Sequence, residues 1–168
     1  MKKSCFLISF FFLFVCISVL QNVAQARQRD ISVEEYQFAL TLFPRSFPAQ
    51  EDIKITDGTS PFNGAYYVIP AAIDGDIHMN MGNLFENCLA NKAIFAHELT
   101  HTWQIWEFGK VWYLGQFLEN HANKFCSKDP YQYVCVDSKN LKEYNAEQQA
   151  EIVKDFFLGK VCPKNIAQ

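Results

Sequence analysis

Two hydrophobic periods alternate along this chain, and the points where one gives way to the other mark its elements. From Ser32 the spacing is helical: Val33, Tyr36, Ala39, Leu40 and Phe43 recur on one stripe, Ser32 and Glu35 form a capping box, and Pro44 ends the run. Pro44, Pro48, Gly58 and Pro61 then punctuate a loop around one short strand, Ile53 to Thr56. Period two takes over in Ala65 to Ile69 and in Asp76 to Met81, where Ile77, Met79 and Met81 alternate with Asp76, His78 and Asn80, so a small sheet is expected. From about Asn91 the period is helical again through Trp106, and Gly109 is placed to stop that helix with a left-handed residue. Lys110 to Lys142 is aromatic and irregular, with one helix near Leu114 to Phe125 and then a loop. A last helix begins at Asn145, an N-cap with Gln148 three residues on, and carries Ala146, Ala150, Val153 and Phe157 on one stripe. Strands before helices predict an α+β domain.

The first 26 residues follow neither period. Lys2 and Lys3 precede an apolar run from Cys5 to Leu20, and Ala24-Gln25-Ala26 supplies a small-x-small cleavage pattern, so residues 1–26 read as a secretory signal peptide. The alternative is an uncleaved membrane anchor, its apolar run at the short edge of what spans a bilayer and its downstream flank polar, whereas Val15 before Cys16 is larger than a lipid-attachment site normally tolerates. Residues 27–168 are enough for one domain with a real core. Without Lys2 and Lys3, thirteen basic residues face eighteen acidic ones, which disfavours nucleic acid and anionic membrane surfaces as partners. Export to an oxidising, secreted or periplasmic, compartment makes Cys88, Cys126, Cys135 and Cys162 an expected pair of disulfides. Spacing leaves three connectivities open, and no C-x-x-C pair favours a metal site built from these thiols.

The chemistry sits on the central helix. His97-Glu98-Leu99-Thr100-His101 sets two imidazoles four residues apart, about 40° around a helix and one turn along it, so both can reach one ion. Glu98 lies roughly 100° round from His97, beside the ion rather than toward it. A general base belongs there if it is to take a proton from a water whose pKa a zinc ion lowers to about 7. Ile94, Phe95, Ala96, Leu99, Trp103 and Trp106 surround the motif, so the helix is expected to be buried and its polar side chains to need partners.

Zinc requires a third protein ligand. One plan takes it six residues after the second histidine, where this chain has Glu107, with Gln104 in place of the glycine that would turn the chain back, so the helix carries Glu107 away. A second plan uses a glutamate from a later helix. Glu147 opens that helix as the expected ligand, Ala150 is small enough for close packing, and Glu151, one turn on, can accept a hydrogen bond from the outward nitrogen of a ligating histidine. The alternative for both glutamates is a solvated helix face shared with Lys154 and Asp155. An oxyanion donor is also required. His121, Tyr113, Tyr131 and Tyr133 all lie between the motif and Glu147, and His121 and Tyr133 are taken as the catalytic candidates. His78, on the polar side of its strand, is expected to be solvated, and the strand Asp76 to Met81 is a candidate edge on which an extended peptide could pair.

The run His97-Glu-Leu-Thr-His-Thr-Trp-Gln, followed by Tyr144-Asn-Ala-Glu-Gln-Gln-Ala-Glu-Ile-Val and more weakly by Tyr131-Gln-Tyr133, resembles a family of compact bacterial HExxH proteins often encoded near Vgr and Rhs elements of secretion systems. The resemblance covers Ile94 to Phe157 and implies a minimal zincin-like domain of the gluzincin kind. In it His97, His101 and Glu147 would hold Zn2+ and Glu98 would be the base of a metallopeptidase acting on a peptide or protein. The leader and the four later cysteines depart from that pattern. Two other readings share the motif: a hydrolase of cell-wall peptide or amide links, and a non-enzymatic module stabilised by zinc, against which Glu98 argues because a structural site closes its coordination and needs no base.

Overall fold

The computed structural model describes residues 26–58, 66–70, 75–125, 129–134 and 139–160, with the side chains of residues 121–125 left undescribed. The signal-peptide reading therefore lies outside the described residues apart from Ala26. Four strands and four helices make an α+β domain: β1 (Gln28–Asp30), α1 (Val33–Leu42), β2 (Ile53–Thr56), β3 (Tyr67–Pro70), β4 (Ile77–Asn80), α2 (Lys92–Phe108), α3 (Lys110–Phe125) and α4 (Ala146–Phe157). No helix among the described residues is long and apolar enough to cross a membrane.

Local chemistry sets the helix ends. Ser32 accepts from the Glu35 backbone N–H while the Glu35 carboxylate accepts from that of Ser32, and Asn145 and Gln148 exchange the same reciprocal pair at α4. Asn91 caps α2 through the Ile94 N–H. Gly109, at φ +87°, takes a conformation that side chains resist and turns the chain so sharply that α3 starts at the next residue. For this reason the helix expected from Leu114 begins earlier.

The sheet has the order β1-β2-β4-β3, with β2 and β4 parallel and the other pairs antiparallel. The strand expected to lie at an edge is thus interior, and β3 holds the edge instead. Every residue of β4 is buried, including His78 and Asn80. Alternation predicted a solvated His78, and the structure buries it, since the period of a strand does not tell whether its second face is covered. Gln28-Arg29-Asp30 carries no apolar signal and was not expected to be a strand; its backbone pairs along β2.

The core is built from Ile53, Ile55, Val68, Met79 and Met81 of the sheet against Phe95 and Leu99 of α2, all fully buried. Phe95 alone contributes about 2–3 kcal/mol by leaving water. On the opposite side α1 rests on α2 through stacked pairs, Phe38 on Phe95 at 5.8 Å and Phe43 on Trp103 at 5.4 Å. The tightest helix packing is α2 against α4, where Ala146 and Ala150 are buried and their small side chains permit close approach. Enclosed in this way, α2 is buried continuously from Phe95 to Ile105, while Trp106 turns outward.

Arg29, Glu35 and Cys88 join β1, α1 and the turn before α2. The Arg29 guanidinium binds both Glu35 oxygens at 2.8 Å, and the Cys88 backbone N–H donates to the same carboxylate at 3.0 Å. Cys88 is a free, buried thiol, so the disulfide expected from it is not formed: its sulfur faces Arg29 at 3.5 Å and burial pushes its pKa up. Cys126, Cys135 and Cys162 lie outside the described residues.

Burial alone would raise the Glu35 pKa, but the Arg29 hydrogen bonds and two backbone N–H groups hold it at about 2. A depressed carboxylate contributes stability that is present above its unfolded value of 4.5 and lost as pH falls toward 2. Arg29→Met is expected to cost about 3 kcal/mol near pH 7, the low end for breaking a buried pair because Arg29 is partly exposed. Urea unfolding should show that deficit shrinking between pH 4.5 and 2 as the wild-type carboxylate protonates.

Candidate metal centre

Two helices and three ligand atoms define the site. His97 and His101 project from one face of α2, and Glu147 projects from the first turn of α4. The two imidazole Nε2 atoms are 3.2 Å apart, and one Glu147 oxygen lies 3.4 Å from each. These three atoms form a nearly equilateral triangle. Around a four-coordinate ion the ligand–ligand edge is about 1.63 times the bond length, so bonds of about 2.0–2.1 Å demand edges of about 3.3–3.4 Å. The triangle has the dimensions of one tetrahedral face, and the three residues form a possible metal site.

The outward nitrogens explain why the inward ones are available to a metal. His97 Nδ1 lies 3.0 Å from Glu151, whose carboxylate is also bound by Lys154 at 2.7 Å. Burial opposes ionisation of Glu151, but these two partners hold its pKa at about 2, so it is an acceptor and His97 Nδ1 carries the proton. His101 Nδ1 lies 2.9 Å from the Gln104 side-chain oxygen. That amide cannot be turned round, because its NH2 donates to the Ala146 carbonyl at 2.9 Å and to the Gln149 side-chain oxygen at 3.0 Å. Gln149 is fixed in turn by donating to the Tyr144 carbonyl at 2.8 Å. Backbone carbonyls, which only accept, thus set the polarity of the whole chain and make His101 Nδ1 a donor. Both Nε2 atoms are left facing Glu147.

Without a metal, protons occupy that triangle. Burial disfavours a charged His97, yet Glu147 and Glu151 outweigh it and raise its pKa to about 10. His101 is raised by Glu147 against the same burial cost, and Glu147 is pulled well below the carboxylate range by the two imidazoles despite burial. Glu98 is different: burial raises its pKa, and the nearby imidazoles only partly offset this. One of its oxygens is buried without a hydrogen-bond partner. It is not among the ligand atoms. A buried carboxylate oxygen with spare acceptor capacity beside a three-ligand site has room to hold a polar reactant.

The other expected residues fall as follows. Glu151 holds His97 as anticipated, and Glu107 is carried away to Ser46 and Lys142. Tyr133 is not among the ligand atoms, and its hydroxyl is committed to Asp155 at 2.7 Å. The backbone of His121 lies in α3, and its side chain is outside the described residues. Tyr113 packs on His101 with ring centroids 5.7 Å apart but donates to the Val68 carbonyl of β3. Tyr131 stands with its ring 6.3 Å from His97, partly exposed, on the wall of an open groove of about 930 Å³ that also meets Glu151, Tyr133 and Asp155. Gln104 and Gln149 were not anticipated as functional. Gln104 drew notice only as a missing glycine; the available signal was an amide three residues after a motif histidine, facing a Gln-rich helix start.

Comparison with known proteins gives one informative similarity. A stretch of 72 residues, 43% of this chain, is 40% identical to part of the type VI secretion system spike protein VgrG2b of Pseudomonas aeruginosa. The match spans only 7% of that protein. No family model matches the chain, and no solved structure matches it.

Two measurements probe this geometry. Metal uptake at pH 7 should release about one proton, since the His97 imidazole, its pKa raised to about 10, must be bare in the complex; calorimetry in buffers of different ionisation enthalpy reads the number. Gln104→Leu should weaken metal affinity roughly 10–100-fold by freeing the His101 ring, as read by competition with a chromogenic chelator. An unchanged affinity would remove Gln104 from the account.

Proposed function

We propose that the chain is an exported zinc metallopeptidase that hydrolyses peptide bonds in a peptide or protein substrate. The observation that supports this best is the pairing of a three-donor site with a buried carboxylate, Glu98, that is no part of the ligand triangle. Two imidazoles and one carboxylate at tetrahedral spacing suit zinc, and three protein ligands leave a fourth position open, the arrangement of catalytic rather than structural sites. When bound, zinc would supply the Lewis acidity that lowers the pKa of a water and polarises a carbonyl.

The chain's own groups account for the remaining steps. Glu98, held in a low-dielectric pocket, takes the proton from the attacking water as its oxygen bonds to the carbonyl carbon. It then returns that proton to the leaving amine as the C–N bond breaks. Glu151 and Gln104 keep both imidazole lone pairs aimed inward through the cycle. β3, the edge strand tied to α3 by the Tyr113–Val68 hydrogen bond, has one side without a strand neighbour among the described residues, where an extended peptide can pair. The apolar leader and the similarity to a secretion-system spike protein support action outside the cytoplasm.

Glu98→Gln should retain zinc and lose at least about 1,000-fold in kcat on a peptide the wild type cleaves, whereas Glu147→Ala should lose the metal itself. Metal analysis of both variants beside casein and peptidoglycan assays tests this. A Glu98→Gln protein with wild-type turnover would sink the base assignment, and release of cell-wall fragments with intact casein would redirect the substrate to cell-wall links.

A further inference from the structure

Attack on a carbonyl builds negative charge on its oxygen, and a donor fixed in advance at that point lowers the barrier. Around the metal centre most phenols are already committed: Tyr113 to Val68, Tyr133 to Asp155 and Tyr144 to the Val134 carbonyl. Tyr131 differs. Its hydroxyl makes no hydrogen bond among the described residues, its ring lies 6.3 Å from that of His97, and at 39% exposure it opens onto the groove.

The segment that carries Tyr131 is clamped on both sides by the start of the ligand helix. Asn145 donates to the Pro130 carbonyl at 3.4 Å and Gln148 donates to the Gln132 carbonyl at 2.6 Å, while the Tyr131 N–H is held by Asp129 at 3.0 Å. Asn145 and Gln148 are also the capping pair that fixes where Glu147 begins. One set of hydrogen bonds therefore registers the phenol and the third ligand to each other. A phenol carries its proton at neutral pH, so Tyr131 is a hydrogen-bond donor there.

We infer that Tyr131 is a catalytic residue, donating a hydrogen bond to the oxyanion that forms on the scissile carbonyl. This rests on the metallopeptidase reading. No proton leaves the phenol: the water proton still travels through Glu98 to the amine, and Tyr131 only strengthens its hydrogen bond as the carbonyl oxygen becomes charged.

The test compares wild type, Tyr131→Phe, Tyr131→His and the remote Tyr36→Phe, each loaded with one equivalent of zinc. Tyr131→Phe should keep its zinc and melting temperature, lose about 100-fold in kcat and change little in KM, with part of the rate restored by the donor in Tyr131→His. Calorimetric binding of a phosphinic peptide, which mimics the tetrahedral oxyanion, should weaken by the same factor as kcat/KM in Tyr131→Phe and not in Tyr36→Phe. Full kcat and undiminished phosphinic affinity in Tyr131→Phe would overturn the inference and leave the metallopeptidase reading standing. Loss of zinc or of the fold in Tyr131→Phe would make the residue structural and overturn it equally. A wild-type chain that takes up no zinc and cleaves no peptide would end both.

Discussion

Three acceptor atoms held 3.2–3.4 Å apart with their lone pairs convergent cannot coexist unless something positive stands between them. That electrostatic demand organises the molecule. It is created from outside the triangle, where Glu151 and the Gln104–Gln149 amide chain accept hydrogen bonds from the Nδ1–H groups and so keep those protons on Nδ1. Protons can meet the demand partially, as the raised histidines and depressed Glu147 record, but a divalent cation meets it for all three donors at once. Each other feature of the fold serves the spacing: alanines let α4 approach α2, the Asn145 cap sets where Glu147 falls, and the sheet and α1 enclose the remaining faces of α2.

The same enclosure gives Glu98 its character. A glutamate roughly 100° from His97 would be solvated on an ordinary surface helix, where it would be a weak and fully ionised acceptor. Here the continuous burial of α2 removes water from it and leaves one oxygen unsatisfied. A structural site would have no use for that cost. The groove along Tyr131 is lined also by Glu151, the carboxylate that holds His97, so solvent reaches the outer partner of one histidine of the candidate site.

Much of this was legible in the residues. The capping boxes at Ser32 and Asn145, the strand Ile53–Thr56 and the stop at Gly109 were read correctly because each rests on local chemistry that tertiary structure does not override. The His97–His101–Glu147 triangle was also legible, since helical spacing fixes two ligands and the small residues of α4 point to the third. What failed was whatever depends on neighbours. β1 has no apolar signature because an edge strand of polar residues is stabilised by its pairing, and His78 looked solvated because alternation cannot reveal that the second face of its strand is buried. Nothing in the sequence separated Tyr133 from Tyr131, and the bond of Tyr133 to Asp155 is a property of the folded chain. Gln104 was invisible for the same reason: its role exists only across the α2–α4 interface.

X-ray absorption at the zinc edge of the purified chain, loaded with one equivalent of metal, reads the central claim most directly. Nitrogen and oxygen scatterers at about 2.0–2.1 Å, with the outer-shell signature of two imidazole rings and no sulfur, are the predicted result. A spectrum of fully hydrated zinc, or one dominated by sulfur at about 2.3 Å, would contradict it.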